Sequence, residues 1–134
     1  MRIVLDTNVL VSALLSPHGP PAAVVRMLVS GQLSLCYDER IVSEYRDVLI
    51  RGRFAFDATL VDELVSFLEA TGVPTLAGPL ALELPDRFDA MFIEVAVASG
   101  AEYLVTGNLR HFPARSRHGV TVVSPREFID AVIK

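Results

Sequence analysis

Cys36 is the only cysteine among 134 residues. The chain can therefore form neither an internal disulfide nor a cysteine-rich zinc site, which fits a reducing cytoplasm. Histidine is scarce too, and His18, His111 and His118 lack the spacing of zinc ligands. There is no Gly-rich phosphate loop and no G-x-S-x-G elbow, so the usual nucleotide-cradling and serine-hydrolase signatures are missing. No apolar run approaches the roughly 18 residues of a membrane span. The start of the chain carries Arg2 and Asp6 and offers no apolar core for a signal peptide. Together these absences predict a soluble, cytoplasmic protein with no membrane contact. A basic excess is also lacking: net charge is −4. A nucleic-acid partner would thus be met only through local patches. The distribution allows such patches, because Asp57 to Glu102 holds nine acids and one base, Arg87, whereas Arg110 to His118 holds three arginines, two histidines and no acid.

What is present is apolar: 51% of residues, with 21% charged, which excludes a disordered chain. The length suits one domain, 1–134, with a real core. No repeat or low-complexity tract interrupts it, and the loop Ser16 to Pro21 lies too near the N-terminus to divide domains. Arg2 to Leu5 reads as a strand and Asn8 to Leu15 as a helix. A second helix opens at Pro20-Pro21 and stops at Gly31. Leu33 to Tyr37 is the next strand. From Asp38 to about Arg51, residues Ile41, Val42, Tyr45, Val48 and Leu49 recur at helical spacing. Asp57 caps a helix with the stripe Leu60, Val61, Leu64, Val65 and Leu68, ended by Gly72. Val73 to Leu76 suits a short edge strand that tolerates Pro74. Asp86 caps a helix that turns Met91, Phe92, Val95 and Ala96 inward and closes at Gly100. Tyr103 to Thr106 and Val120 to Val123 are strands, and Ser124-Pro125-Arg126-Glu127 is a capping box opening the last helix. Strands alternate with helices, which predicts an α/β fold with a parallel sheet, helices on both faces, and a ligand site beyond the carboxyl ends of the strands.

Oxygen-bearing side chains collect at those ends. Asp6, Thr7 and Asn8 follow the first strand, where Asp6 or Thr7 could simply cap a helix. Glu44 lies on the border of its helix's apolar stripe, and the pattern alone favours a surface glutamate, solvated or paired with Arg51. Asp86 and Asp89 open their helix, and both are stabilised there by free N–H groups and the helix dipole. Thr106, Gly107 and Asn108 close the fourth strand, where Asn108 could merely supply turn chemistry. As a set they suit Mg²⁺ or Mn²⁺, which take oxygen ligands. Such a cation acidifies bound water and neutralises charge on a phosphate during in-line displacement.

These residues resemble a known family. Ile3-Val4-Leu5-Asp6-Thr7-Asn8-Val9-Leu10, Glu44, Asp86-x-x-Asp89 with Phe92-Ile93-Glu94-Val95-Ala96, and Tyr103-Leu104-Val105-Thr106-Gly107-Asn108-Leu109-Arg110-His111-Phe112 look like a PIN domain, in order and across essentially the whole chain. The similarity is to the small bacterial VapC-like toxins of toxin–antitoxin pairs. It implies a three-layer α/β/α sandwich with a mainly parallel central sheet, and a metal-dependent endoribonuclease acting on RNA. Asp6, Glu44 and Asp89 would be the metal-binding carboxylates, supported by Thr7, Asn8 and Thr106, with Asp86 more structural. Asn108 stands where many members have a further aspartate, so a second metal would be held more weakly. The resemblance also implies an antitoxin partner and a homodimer. For RNA docking, Arg110, His111, Arg115 and Arg117, together with Arg51 and Arg53, are the candidates.

Rival functions fit less well. A haloacid-dehalogenase-type phosphatase wants a second aspartate two residues after the first, and Asn8 stands there. A receiver domain wants an acidic pair at the end of the first strand, and Leu5 breaks it. The other alternative is a catalytically weak or inactive module that binds RNA or a protein partner, which Asn108 favours.

Overall fold

Ile3, Val4 and Leu5 have no exposed surface, as expected of a strand paired on both edges and covered on both faces. They belong to β1 (Arg2–Leu5), the centre of a five-stranded sheet of order β3-β2-β1-β4-β5. The other strands are β2 (Ser34–Tyr37), β3 (Val73–Pro74), β4 (Tyr103–Val105) and β5 (Val122–Val123), and every pairing is parallel. The computed structural model describes residues 1–133. Among the described residues, six α-helices complete an α/β/α arrangement: α1 (Thr7–Leu15), α2 (Pro20–Val29), α3 (Glu39–Leu49), α4 (Ala58–Thr71), α5 (Ala90–Ser99) and α6 (Pro125–Val132). Among the described residues, no helix is long and apolar enough to cross a membrane.

The fold matches the expectation, and the differences lie at element ends. Strand β3 stops at Pro74, which lacks the N–H needed to extend a ladder. β2 begins one residue later than expected, β5 is confined to Val122–Val123, and α1 starts at Thr7. Asp86 caps a single 3₁₀ turn, Arg87–Asp89, by accepting from the Phe88 N–H at 2.9 Å, and α5 itself starts at Ala90. α5 packs on β1, β2 and β4 and buries six consecutive residues from Met91 to Ala96 rather than a stripe, as befits a helix apolar nearly all round. One of the six is Glu94, whose carboxylate is satisfied by Arg40 at 2.7 Å and by the Leu80 N–H at 2.9 Å. It thereby pins the long connection before α5. The capping box at α6 forms, with Glu127 N–H to Ser124 Oγ at 3.1 Å and Ser124 N–H to Glu127 Oε1 at 2.8 Å.

The chain runs outward from β1 to β2 and β3, then returns to β4 on the other side of β1. That reversal opens a crevice at the carboxyl ends of β1 and β4, where open parallel sheets bind ligands.

Candidate active site

Asp6 follows β1 directly and Thr106 follows β4, and they meet across the crevice: Thr106 Oγ donates to Asp6 Oδ2 at 2.8 Å. Both are buried. Asp6 occupies the N-cap position of α1, and the Asn8 N–H eases its charge slightly, yet no capping hydrogen bond closes. Asp89 stands at the N-cap position of α5 and makes no capping bond either. Capping therefore does not account for Asp89, and for Asp6 it is secondary to the bond from Thr106. Their side chains turn into a cleft of about 390 Å³ lined also by Thr7, Asn8, Glu44, Asp86 and His111.

Glu44 reaches this cleft from α3 and accepts a hydrogen bond from the Thr7 hydroxyl. It is not paired with Arg51, whose nearest carboxylate partner is Asp47 at 3.9 Å. The next residue, Tyr45, is fully buried and donates to the carbonyl of Leu5. That bond anchors α3 to the end of β1, one residue before Asp6. Burial pushes the Tyr45 phenol well up, so it remains a neutral donor.

Burial is the main cause that raises Asp6, opposed by its bond from Thr106 and reinforced by Glu44. Asp89 is pushed up to about 6, first by burial and then by the carboxylates of Asp6 and Asp86. His111 opposes that rise, with Nδ1 at 3.0 Å from Asp89 Oδ2. The cleft therefore concentrates negative charge where water is scarce, which makes it receptive to a cation.

The donor set fits a hard divalent ion. Asp6, Glu44 and Asp89 come from three different elements, and each is held by its neighbour through one oxygen. A carboxylate has about four lone-pair sites, so acceptor capacity remains. Among the described residues, no three His, Cys, Asp or Glu side chains already converge as a ligand group. The acids are instead engaged with Thr7, Thr106 and His111, groups that a cation would have to draw them from.

The remaining predicted residues divide. Arg51, Arg53 and His111 line the acidic cleft. Asn8 turns its carbonyl to the Gly107 N–H at 3.0 Å, tying α1 to the turn after β4. Asn108 is outside the cleft lining and donates its backbone N–H to Thr106 Oγ at 3.0 Å. Arg110 is exposed beside it. Arg115 lines a separate cleft with Ala81, Leu82 and Glu83, and Arg117 Nε is bound to the Phe112 carbonyl at 2.8 Å. Sequence reasoning placed Tyr45 only in an apolar stripe and His111 only among RNA contacts. The bonds these two make, to Leu5 and Asp89, join residues far apart in the chain and leave no local signal.

Comparison with known proteins bears on the family and the fold. A family model described as PIN domain matches residues 2–110. Among solved structures, the chain is similar to one of VapBC2 from Rickettsia felis bound to a DNA fragment from their promoter, with 14% identity and a TM-score of 0.60 over 92% of this chain and 98% of that one. It is also similar to one of FitAB bound to the IR36 DNA fragment, with 17% identity and a TM-score of 0.56 over 92% of this chain and 94% of that one. At such identities the likeness speaks for the fold. No curated protein matches the sequence. The family model spans both strands that carry the crevice and all three clustered acids, and the chain belongs to the PIN domain family.

Proposed function

We propose that the chain is a metal-dependent endoribonuclease and the toxin of a type II toxin–antitoxin pair. The observation that carries this is the meeting of Asp6, Glu44 and Asp89 in one cleft at the sheet's reversal point. Asp6, Glu44 and Asp89 would hold Mg²⁺ or Mn²⁺, which when bound supplies an acidified water and a counter-charge for the phosphate. Thr106 and Thr7 orient Asp6 and Glu44 through their hydroxyls, and Tyr45 fixes the helix that carries Glu44. His111 orients Asp89. Arg51 and Arg53 are exposed and line the cleft, where they would draw in a phosphate backbone.

The partners follow from the family and the neighbours. Both similar structures, VapBC2 and FitAB, are bound to DNA fragments and support a protein antitoxin here; a homodimer of toxins is implied by the family resemblance alone. The antitoxin would silence the cleft by laying a cationic side chain against its acids. A second reading, an inactive RNA-binding or partner-binding module, draws on Asn108, which adds no charge and lies outside the cleft lining.

The deciding experiment incubates the protein with cellular RNA and Mn²⁺, with a chelator arm and Asp6→Asn as controls, and maps the ends produced. Metal-dependent ends lost in Asp6→Asn are the expected result. RNA left intact at every metal concentration, with binding retained, would establish the module instead. Co-expression with the product of the adjacent gene tests the toxin assignment separately, through growth and nuclease activity.

A further inference from the structure

Phe88 is 67% exposed while the next residue, Asp89, is 9% exposed. The 3₁₀ turn that Asp86 caps sends the acid inward and the aromatic ring outward. Their Cα atoms are about 3.8 Å apart across one peptide bond, so the ring is tied covalently to the acidic cluster. It borders a second cleft of about 390 Å³ between α3 and α5, lined also by Arg40, Ser43, Arg87 and Met91. That size lies within the roughly 300–1,000 Å³ of small-molecule sites. Glu44 lines both clefts, so the two adjoin at one of the clustered acids.

We propose that Phe88 is a base-stacking platform, on which the nucleobase flanking the scissile phosphate lies in the cleft between α3 and α5. This rests on the ribonuclease reading above and names how that site holds its substrate. A single exposed phenylalanine is ordinary. This one sits beside a carboxylate cluster suited to a metal and a phosphate, and it carries a cation. The Arg87 guanidinium lies 5.2 Å from the ring centre, and Arg87 is the only base between Asp57 and Glu102. An aromatic face next to an arginine is the pairing that holds single-stranded nucleic acid, ring to base and cation to phosphate. The acidic cleft itself is lined by a similar pair, Arg53 and Phe54, but that ring is already stacked on another. Phe54 is half-buried and stacks on Phe56 with centres 5.4 Å apart; like Phe88 it has an arginine beside it, Arg53 at 4.8 Å from its centre, so the stack is what sets the two rings apart. Phe88 makes no such stack with another ring among the described residues.

The platform requires unpaired bases, so the substrate class is single-stranded RNA, or a loop or end with splayed bases, rather than duplex. The test compares the parent with Phe88→Ala, Phe88→Leu and Phe88→Trp. The probe is fluorescein-labelled single-stranded RNA of mixed sequence, about 12 nucleotides long, within the site sizes of roughly 4–16 that such grooves cover. A duplex of the same length is the control. Affinity is read by anisotropy in EDTA, cleavage in Mn²⁺, and molecular mass by sedimentation. Phe88→Ala and Phe88→Leu should each weaken single-strand binding roughly 5- to 100-fold, Phe88→Trp should restore it, and duplex binding and mass should not change. Phe88→Leu keeps the test open should Phe88→Ala fold poorly. Parental affinity and cleavage in both variants would overturn the platform and leave the nuclease standing. A change of mass in Phe88→Ala would overturn it in favour of an interface between copies. A parent that neither binds nor cleaves RNA would remove both proposals.

Discussion

Burial and two neighbouring carboxylates raise Asp89 to about 6 in the folded chain, against 3.8 when it is unperturbed. Below about pH 4 both states are protonated and the acid costs nothing. Between those values the folded state keeps a proton that the unfolded state releases, so stability falls as pH rises, and above about 6 the whole penalty is present. Asp89→Asn removes the charge and keeps an oxygen for His111. It should raise the melting temperature by a few degrees at pH 7.5, with the gain shrinking to nothing near pH 4 in a thermal-unfolding series. Divalent metal should reverse the order, because ligand bound only to the folded state stabilises it: Mn²⁺ should raise the parent's melting temperature and leave the variant's unchanged. A variant less stable than the parent at pH 7.5 without metal would mean that Asp89 is structural. Tyr45 makes the opposite case, a buried polar group whose value lies in the bond it makes. Tyr45→Phe leaves the Leu5 carbonyl without its side-chain donor and should cost roughly 1–3 kcal/mol, read as a lower urea midpoint. An unchanged midpoint would show that the carbonyl finds another partner.

Element types were legible in the sequence wherever local chemistry decides them. Gly31 and Gly100 take positive φ just past α2 and α5, as helix ends favour, and the box at Ser124 opens α6. β1, apolar after Arg2, read as a strand, and the first strand of such a sheet is usually central. The split of the Asp86 segment into a 3₁₀ turn and α5 was not legible, because an N-cap aspartate precedes either kind of helix with the same residues. The candidate site was legible as a set of acids at one sheet edge. Its geometry was not: Thr106 bonds Asp6 across 100 residues and His111 meets Asp89 across 22, and periodicity carries no such distances. The same holds for Gly72, which looked like a helix stop and is also a close approach. A Cβ there would sit 2.5 Å from the Leu35 carbonyl oxygen and 2.7 Å from that of Leu68, both backbone atoms that cannot swing away. Gly72→Ala should therefore destabilise the α4–β3 junction by roughly 1–3 kcal/mol. Thermal unfolding checks this, and RNA cleavage measured well below the melting temperature should match the parent. Unaltered stability would mean that β2 and α4 can separate at no cost.

For the molecule as a whole, a net charge of −4 opposes nucleic-acid binding, so whatever attraction exists must come from how the bases are placed. The sequence offered two basic groups, and the structure divides the second, because His111 joins the first in the acidic cleft. Arg51 and Arg53 line the acidic cleft, while Arg115 opens onto a different cleft and Arg117 is tethered to a backbone carbonyl. On the proposed function, a phosphate chain threading past Asp6 and Asp89 would meet Arg51 and Arg53 and bypass Arg115 and Arg117. Each phosphate contact to a single strand releases about 0.7 counterion. Arg51→Gln with Arg53→Gln should thus flatten the plot of log affinity against log salt by about 1.4, and it should weaken all sequences alike because phosphate contacts carry no base information. Arg115→Gln with Arg117→Gln should leave the slope where it was. The measurement is anisotropy of single-stranded RNA from low to moderate salt in EDTA for the three proteins. Equal slopes for the parent and the Arg51/Arg53 variant, or flattening only in the Arg115/Arg117 variant, would move the RNA path off the acidic cleft and onto the other face of the loop.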